Sequence, residues 1–530
     1  MPGWIFATCT TASHRQGALL MTPSNRPDAS MPRLATSGPC TKLIVDGQPF
    51  IMLGGEVHNS SSSSLEYMEA SYNRAAAVGC NTVLLPVSWE LIEPQEGVFD
   101  FGLVDGLLAG ARSRNLRLVF LWFGTWKNAM STYVPEWVKT DLERFPRAHT
   151  APGHRSGAIS CMSRQACQAD SRAFAAFMRH LREVDSAERT VIMVQVENET
   201  GLLGAERDLS PEAEAAFHGQ VPAMLTEYLS QHADSLLPDV RAWWDSTGRR
   251  SGGSWTEVFG IGAAEAFMAW HVASYVDAVA AAGKAEYPLP MFANAWLVQY
   301  PGQPAGAYPS GGPVAKVMDI WRAAAPHIDL LAPDIYLPTF AAVCREYHTA
   351  GNPLLIPEAH VRMGAANAFY AIAQHDAICF SPFGIDGRRE TDDLAATYAL
   401  LGGMLPTIAQ YQGTGRMVGV LQEDRGPAVL ELGGYRLEVR YNRAEPADAL
   451  PARGLIISPA DGEYLVAGAG FSVHFSALPG MPRNVEFLAV DEGTFRANQW
   501  VPGRRLNGDE LGVRMGDSLA VCRARLHSFD

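Results

Sequence analysis

The sequence predicts an eight-stranded parallel β/α barrel, a (β/α)8 TIM barrel, followed by a smaller all-β, sandwich-like domain. From residue 50 onward, short runs rich in Val, Ile, Leu and Phe alternate with longer helical stretches, a rhythm typical of βα units. After residues 410–415 the pattern changes to short alternating apolar and polar segments separated by Gly, Pro and Asp turns. The length of 530 residues exceeds that of one ordinary domain.

Three regions are therefore expected. Residues 1–40 form a leader that is disordered or reflects a start site assigned too early, residues 41–413 form the barrel, and residues 414–530 form the β-rich domain. Eight candidate strands, each followed by a plausible helix, favour a closed barrel over an open sheet. They are 50–58, 81–89, 116–123, 190–197, 289–296, 328–336, 354–358 and 377–383.

The helices between the strands are supported by periodicity. Ser163 is a predicted N-cap for a helix over 165–184, in which Phe174, Phe177 and Leu181 recur on one face. A second, Ala-rich helix is predicted over 263–282. These spacings are typical of helices that pack against a sheet.

Two long segments follow the third and fourth strands, at 124–163 and 201–262. Segments of this length at the carboxyl end of a barrel usually form the walls of a cleft. Both contain tryptophans, and Trp255 in the second segment is a candidate for contact with a ligand.

Bulk composition excludes several classes of partner. The formal net charge is −14, and the basic residues are scattered, which disfavours nucleic acid and favours a neutral ligand. No apolar segment is long enough to predict a membrane span. Because residues 1–40 lack a basic start followed by an apolar stretch, no secretory signal is predicted, and the cytoplasm is favoured over the periplasm. The sequence leaves the oligomeric state open.

The eight cysteines show neither a CxxC pair nor metal-ligand spacing. Cys80 and Cys379 lie beside predicted strands and are interpreted as small buried hydrophobic residues. Neither a disulfide framework, nor a metal, nor a cofactor is predicted.

Two of the predicted strands end in glutamates. The run VIMVQVENETG at 191–201 delivers Asn198 and Glu199, and PLLIPEAH at 353–360 delivers Glu358. Because residues at the carboxyl ends of barrel strands converge on one site, the pair predicts cleavage of a glycosidic bond. We expect Glu199 to be the acid and Glu358 the nucleophile, with Asn198 holding the hydroxyl next to the anomeric carbon.

A retaining mechanism requires the two carboxyl groups to lie about 5–5.5 Å apart. At that separation a charged Glu358 disfavours ionisation of Glu199, which then keeps the proton it must donate. Once the sugar is attached to Glu358, its charge is gone and Glu199 can act as the base.

Three motifs carry a resemblance to a known family. VQVENETG at 194–201 and GGEVHNS at 54–60 resemble glycoside hydrolase family 35 β-galactosidases, and the segment 81–101 resembles a strand shared with family 42. The resemblance covers 41–412, and the remainder resembles the β domain of bacterial members. It implies that Glu56 contacts hydroxyls of the terminal sugar and that Tyr336 donates a hydrogen bond to Glu358.

The sequence departs from the family at two points. Thr200 follows Glu199 where the family usually has Tyr, and His58-Asn59-Ser60 replaces the usual HY-x-R. Both changes concern the fit of the sugar. The alternative is therefore a related clan A enzyme, either a family 42-like β-galactosidase or a β-glucosidase.

Weaker candidates and competing functions complete the prediction. Trp122 and Asn294 are candidates for lining the site, and Glu93 is expected to order its own loop. A metal-dependent hydrolase has only Glu56-x-His58 and Glu358-x-His360 in its favour, without a His-x-His motif. A glycan-binding protein without turnover would normally lack one carboxylate. The expected substrate is an oligosaccharide with terminal β-galactose, with plant cell walls as its source.

Overall fold

The computed structural model describes residues 31–387, 391–424, 426–443 and 450–530. It begins with a small antiparallel sheet of Arg33–Ser37, Cys40–Val45 and Gln48–Pro49. Of the predicted leader, residues 1–30 lie outside the described residues, whereas 31–40 are folded and correct the expectation of disorder. The physical reason is that Arg33–Ser37 pairs with Cys40–Val45, and Leu34 packs against the apolar cluster that contains Leu43 and Val45.

Eight parallel strands form the barrel, as the sequence predicted. Their order around the sheet is β6-β5-β4-β3-β2-β1-β8-β7, and the seam between β6 and β7 is closed by a bridge of Ile335 to Ala359. The strands are β1 Met52–Glu56, β2 Thr82–Ser88, β3 Arg117–Phe123, β4 Val191–Val196, β5 Met291–Trp296, β6 Leu330–Asp334, β7 Leu355–Ile356 and β8 Cys379–Phe380.

Helices surround the barrel. They are α1 Leu65–Val78, α2 Trp89–Ile92, α3 Gly102–Arg112, α4 Glu136–Thr140, α5 Arg164–Asp185, α6 Pro211–Phe217, α7 Ala223–Gln231, α8 Pro238–Ser246, α9 Trp255–Phe259, α10 Ala263–Glu286, α11 Met318–Ala324, α12 Phe340–Tyr347, α13 Val361–Gln374 and α14 Asp392–Tyr411. The Ser163 hydroxyl caps α5 by accepting from the backbone of Ala166 at 3.2 Å, as predicted. In the part of the chain that the structure describes, every helix is too short or too polar to cross a bilayer.

The two long segments contact each other. The first contains α4 and a hairpin of Arg147–Ala151 with His154–Ile159, and the second contains α6 to α9. Asp208 of the second segment joins them, because it accepts from the backbone of His149 at 2.9 Å and from the Ser160 hydroxyl at 2.5 Å. These hydrogen bonds join the two segments to each other.

The C-terminal region consists of two antiparallel sheets, ordered β9-β12-β13-β18-β15-β16 and β10-β11-β14-β17. Leu437 and Val439 of one sheet and Ile456 and Val466 of the other share a buried cluster, which makes the domain a sandwich. Its strands are β9 Met417–Leu421, β10 Ala428–Leu432, β11 Tyr435–Tyr441, β12 Arg453–Ile457, β13 Glu463–Ala469, β14 Phe471–Ala477, β15 Asn484–Arg496, β16 Gln499–Leu506, β17 Val513–Met515 and β18 Ala520–Phe529.

The sandwich packs on α13, the helix that follows β7. The backbone of Gly419 approaches so closely that a Cβ there would lie 3.0 Å from Gln374, and its N–H donates to Gln374 Oε1 at 3.1 Å. Leu455 and Ile457 of β12 belong to the same apolar cluster as the barrel helices. The sandwich thus supports the helix behind the strand that carries Glu358.

Candidate active site

Four carboxyl groups occupy the carboxyl ends of the barrel strands. Glu56 ends β1, Glu199 follows β4, Asp334 ends β6 and Glu358 follows β7. All four are buried, with exposed fractions of 0%, 6%, 3% and 5%. Glu358 and Glu199 act electrostatically on both Glu56 and Asp334, and Glu56 also acts on Asp334. The four carboxyl groups therefore share one site. The structure therefore brings together the two glutamates that the sequence predicted to be catalytic.

The backbone that carries Glu199 is unusual. Glu197 and Glu199 both have positive φ, at 63° and 44°, a conformation that side chains other than Gly rarely adopt. Neighbouring strands hold it in place, because Glu199 N–H donates to Asn294 Oδ1 at 3.0 Å and Asn198 N–H donates to Trp126 O at 3.1 Å. Strain of this kind persists where surrounding contacts fix it, and here it directs Glu199 into the site.

Glu358 is held by three polar neighbours. The Tyr336 hydroxyl donates to its Oε2 at 2.7 Å, which is the hydrogen bond predicted from the resemblance. On its other oxygen, Oε1, Asn198 Nδ2 lies at 3.5 Å and Lys127 Nζ at 3.9 Å. These contacts hold the carboxylate in one orientation and give both of its oxygens a polar neighbour.

The surroundings of Glu199 favour its protonated form. Burial and the charge of Glu358 raise its pKa to about 7, against the lowering effect of Lys127 and of a hydrogen bond with Asp334. A carboxyl group with a pKa near neutral pH is suited to general acid and base catalysis.

Asn294 connects Glu199 to Asp334. Asp334 is a site residue that the sequence analysis missed. While Asn294 Oδ1 accepts from Glu199 N–H, its Nδ2 donates to Asp334 Oδ2 at 2.7 Å. Burial and then the charge of Glu358 raise the pKa of Asp334 well above its usual value. An acidic residue at the end of a predicted strand was the signal that could have identified it.

Several buried polar atoms in the site have no hydrogen-bond partner. They are both carboxyl oxygens of Glu56, Oδ1 of Asn198, Oε2 of Glu199, Oδ1 of Asp334 and Oγ of Ser381. Burial, followed by the charge of Glu358, also raises the pKa of Glu56 well above its usual value. Because buried polar groups are normally paired, this cluster is suited to a ligand that carries several hydroxyls.

Lys127 is the second residue that sequence analysis missed. Its side chain is buried beside Glu358, and its ammonium lies 5.0 Å from the centre of the Phe123 ring. Burial acts to lower its pKa, but Glu358, Glu199, Glu56 and Asp334 together raise it. A lysine in a segment rich in tryptophans gave no distinct signal.

The structure packs the two predicted tryptophans, Trp122 and Trp255, against aromatic side chains. Trp122 is fully buried, donates to Asp170 at 2.9 Å and packs on Phe174 and Phe177 of α5. Trp255 begins α9 and packs against Phe259 and Phe267 of α10. Packing against aromatic neighbours occupies both side chains, and the sugar contacts expected of them stay predictions.

The residues that suggested a metal site have other partners. His58 pairs with Asp386 at 2.7 Å, and His360 accepts from Arg362 N–H at 3.2 Å at the start of α13. Among the described residues, no group of three or more His, Cys, Asp or Glu is arranged to hold a metal ion. Glu93 accepts from Trp89 at 2.8 Å and from Gly97 at 2.7 Å, so it orders its own loop, as predicted.

Comparisons with known proteins agree with this chemistry. Residues 59–247 match the family model of glycoside hydrolase family 42, described as Beta-galactosidase, and residues 394–516 match a domain of unknown function. A β-galactosidase from Xanthomonas manihotis is 39% identical over 72 residues, which are 14% of this chain and 12% of that protein. The match thus spans a small part of the relative's length.

Matches to solved structures were also found. The β-galactosidase from Bacillus circulans sp. alkalophilus has 12% identity and a TM-score of 0.46, covering 68% of this chain and 57% of that chain. The catalytic domain of the β-amylase from Paenibacillus polymyxa has 12% identity and a TM-score of 0.45, covering 64% and 94%.

The barrel, its paired glutamates and the matched family model make this chain similar to glycoside hydrolases of clan A. Within that class, the matched model is that of family 42, which the sequence analysis kept as the alternative to family 35.

Proposed function

We propose that the protein is a retaining exo-acting β-galactosidase that removes terminal β-linked galactose from oligosaccharides. The observation that carries the proposal is the pair Glu199 and Glu358, buried in one site, where burial and the charge of Glu358 raise the pKa of Glu199 and the Tyr336 hydroxyl donates to Glu358. The matched family model and the curated relative, both described as β-galactosidases, support the choice of sugar.

In the first step, an oxygen of Glu358 attacks the anomeric carbon from the face opposite the leaving group. A bond forms between that oxygen and the sugar while the glycosidic bond breaks, and its electron pair passes to the leaving oxygen. Glu199 donates its proton to that oxygen. The products are a free alcohol and a sugar bound to Glu358 as an ester.

In the second step, a water molecule attacks the same carbon. Glu199, now ionised, takes the water's proton, and the ester bond breaks with its electron pair returning to Glu358. Because the ester removes the negative charge of Glu358, the electrostatic cost of ionising Glu199 falls between the two steps. The same pair of residues therefore serves both halves of the reaction.

The unpaired polar atoms supply the sugar contacts. Asn198 lies beside Glu358, where its amide can bind the hydroxyl next to the anomeric carbon. Glu56 and Asp334 are buried carboxyl groups with raised pKa values, so in their neutral form each can both donate to and accept from sugar hydroxyls. This arrangement is suited to an uncharged sugar.

The narrower family assignment is part of the proposal. The motifs at 54–60 and 194–201 support family 35, whereas the matched model over 59–247 supports family 42. Both families contain β-galactosidases, so the proposed reaction does not depend on the choice. A plant cell-wall oligosaccharide is the proposed source of the terminal galactose.

The catalytic test uses an aryl β-galactoside. Glu358→Gly should abolish hydrolysis, and azide should partly restore it by entering the vacated space and attacking the anomeric carbon. Glu199→Gln should slow substrates with poor leaving groups more than activated ones, because only the former need the proton. The exposed Glu66→Gln is a matched control that should keep full activity. Full activity in either catalytic variant would exclude the mechanism.

The specificity test compares aryl glycosides that differ only at the fourth hydroxyl. Faster hydrolysis of the galactoside supports the proposal, whereas faster hydrolysis of the glucoside would make the enzyme a β-glucosidase. Binding of galactosides without hydrolysis of any member of the panel would instead indicate a glycan-binding protein.

A further inference from the structure

Lys127 faces every carboxyl group of the candidate site. Glu56 of β1, Glu199 after β4, Asp334 of β6 and Glu358 after β7 all act on its ammonium, and Lys127 in turn acts on the first three. The shortest contact is 3.9 Å, from Nζ to Oε1 of Glu358. With an exposed side-chain fraction of 6%, the ammonium is shielded from water, which strengthens its field on these groups.

The backbone around Lys127 is strained. Lys127 pairs with Met130 across a tight turn whose central residues, Asn128 and Ala129, have φ of 52° and 56°. Ala rarely adopts this left-handed conformation, so the turn persists only because other contacts fix it. One of these contacts is Ala129 N–H, which donates to the carbonyl oxygen of Glu199 at 3.0 Å. The turn that carries Lys127 is therefore hydrogen-bonded directly to the backbone of Glu199.

Burial of a charged lysine is costly unless the charge has a partner. Phe123 provides one compensating contact, with its ring 5.0 Å from Nζ, and the carboxyl groups provide the rest. If Lys127 served packing alone, its charged group would not need to be buried beside Glu358.

We propose that Lys127 is the counter-ion of the site in both chemical steps, first for Glu358 and then for Glu199. The inference rests on the proposed glycosidase function. Before attack, the ammonium stabilises the carboxylate of Glu358 that will form the bond to the anomeric carbon. When that bond has formed and the leaving oxygen has taken the proton of Glu199, Glu358 is a neutral ester and Glu199 carries the negative charge. The ammonium then stabilises Glu199 as the base that accepts the proton of the attacking water.

Removal of the ammonium should move the pH dependence. In Lys127→Met, Glu199 loses the nearby positive charge, so its pKa should rise and the descending limb of kcat/KM should move to higher pH by about one unit or more. Hydrolysis of the ester should slow by about 10-fold or more, because the base is harder to ionise, and an activated aryl galactoside should then show a burst of released phenol.

Two variants serve as controls. Lys127→Arg keeps the charge and should retain the wild-type pH profile even if its rate is reduced. Lys139→Met removes a lysine that pairs with Glu90 at 2.9 Å outside the site, and it should leave both the rate and the profile unchanged. A shift in Lys127→Met that is absent from both controls supports the proposal.

An unchanged pH profile and no burst in Lys127→Met would overturn the inference. If this variant turns over too slowly for a profile, 13C NMR of glutamate-labelled protein, assigned with Glu199→Gln, measures the titration of Glu199 without turnover. An unchanged titration there would also overturn it. Failure of the proposed function is distinguishable, because the wild type would then fail to hydrolyse any aryl glycoside.

Discussion

The Tyr336 hydroxyl donates a hydrogen bond of 2.7 Å to Oε2 of Glu358, across the seam that closes the barrel. The backbone supports the same seam, since Ile335 N–H donates to the carbonyl oxygen of Glu358 at 2.9 Å. Strands β6 and β7 are not joined by a regular ladder of hydrogen bonds. The two bonds described above therefore fix Glu358 relative to β6. Closure of the barrel and orientation of Glu358 are therefore linked.

Tyr336→Phe should lower kcat/KM by about 10- to 100-fold. A hydrogen bond to a charged group contributes about 1.5–3 kcal/mol, and its loss leaves the nucleophile less well oriented. Steady-state kinetics on an aryl galactoside measures the effect, with the exposed Tyr67→Phe as the matched control. A loss of less than twofold would show that the bond does not assist attack.

The activity should fall as the pH rises above neutrality. The pKa of Glu199 is raised to about 7, and the first step requires its protonated form, so kcat/KM should be high below this value and lost above it. In Glu199→Gln the descending limb should disappear for substrates with good leaving groups. A descending limb that persists unchanged in this variant would assign it to another group.

Asn294→Ala should impair the acid more than the nucleophile. Asn294 accepts from Glu199 N–H at 3.0 Å and donates to Asp334 at 2.7 Å, so its loss releases the strained backbone of Glu199. We expect kcat/KM to fall about 10- to 100-fold for poor leaving groups and much less for activated ones. Equal losses across a leaving-group series would contradict this role.

A buried carboxyl pair beneath the site should make the stability of the fold decrease as the pH rises. Glu197 and Asp170 are both fully buried, and Asp170 also accepts from Thr125 and Trp122. Burial is the main cause of the raised pKa of each residue, and their mutual hydrogen bond raises that of Glu197 and lowers that of Asp170, so Glu197 holds the proton. A raised folded-state pKa stabilises the fold at low pH, and this contribution is lost as the pH rises through the raised value.

Glu197→Gln should remove much of this pH dependence of stability. The amide can donate to Asp170 and still accept from Trp126 N–H, which now donates to Glu197 at 2.7 Å, so stability at neutral pH should change by about 1 kcal/mol or less. Thermal unfolding between pH 6 and pH 10, compared with wild type, measures the difference. An identical decline in both proteins would show that the pair does not titrate in this range.

Parts of the site could be predicted from the sequence because they adjoin hydrophobic runs. Glu199 and Glu358 directly follow strands β4 and β7, and position at a strand end predicts convergence in a barrel. Trp122 also ends a strand region, yet it faces α5, because alternate residues of a strand point to opposite faces. Neighbouring residues of one strand can therefore lie one in the site and the other in the core. Amino-acid composition does not predict which of the two faces the site.

The sequence by itself determined the barrel, the appended sandwich and the two glutamates, because periodicity and strand ends are local properties of the chain. Only the tertiary structure brings Lys127 and Asp334 beside the two glutamates and Glu197 beside Asp170. Each of these depends on side chains from distant segments meeting in a space without water. Burial and mutual charge, rather than residue type, then determine which group carries a proton.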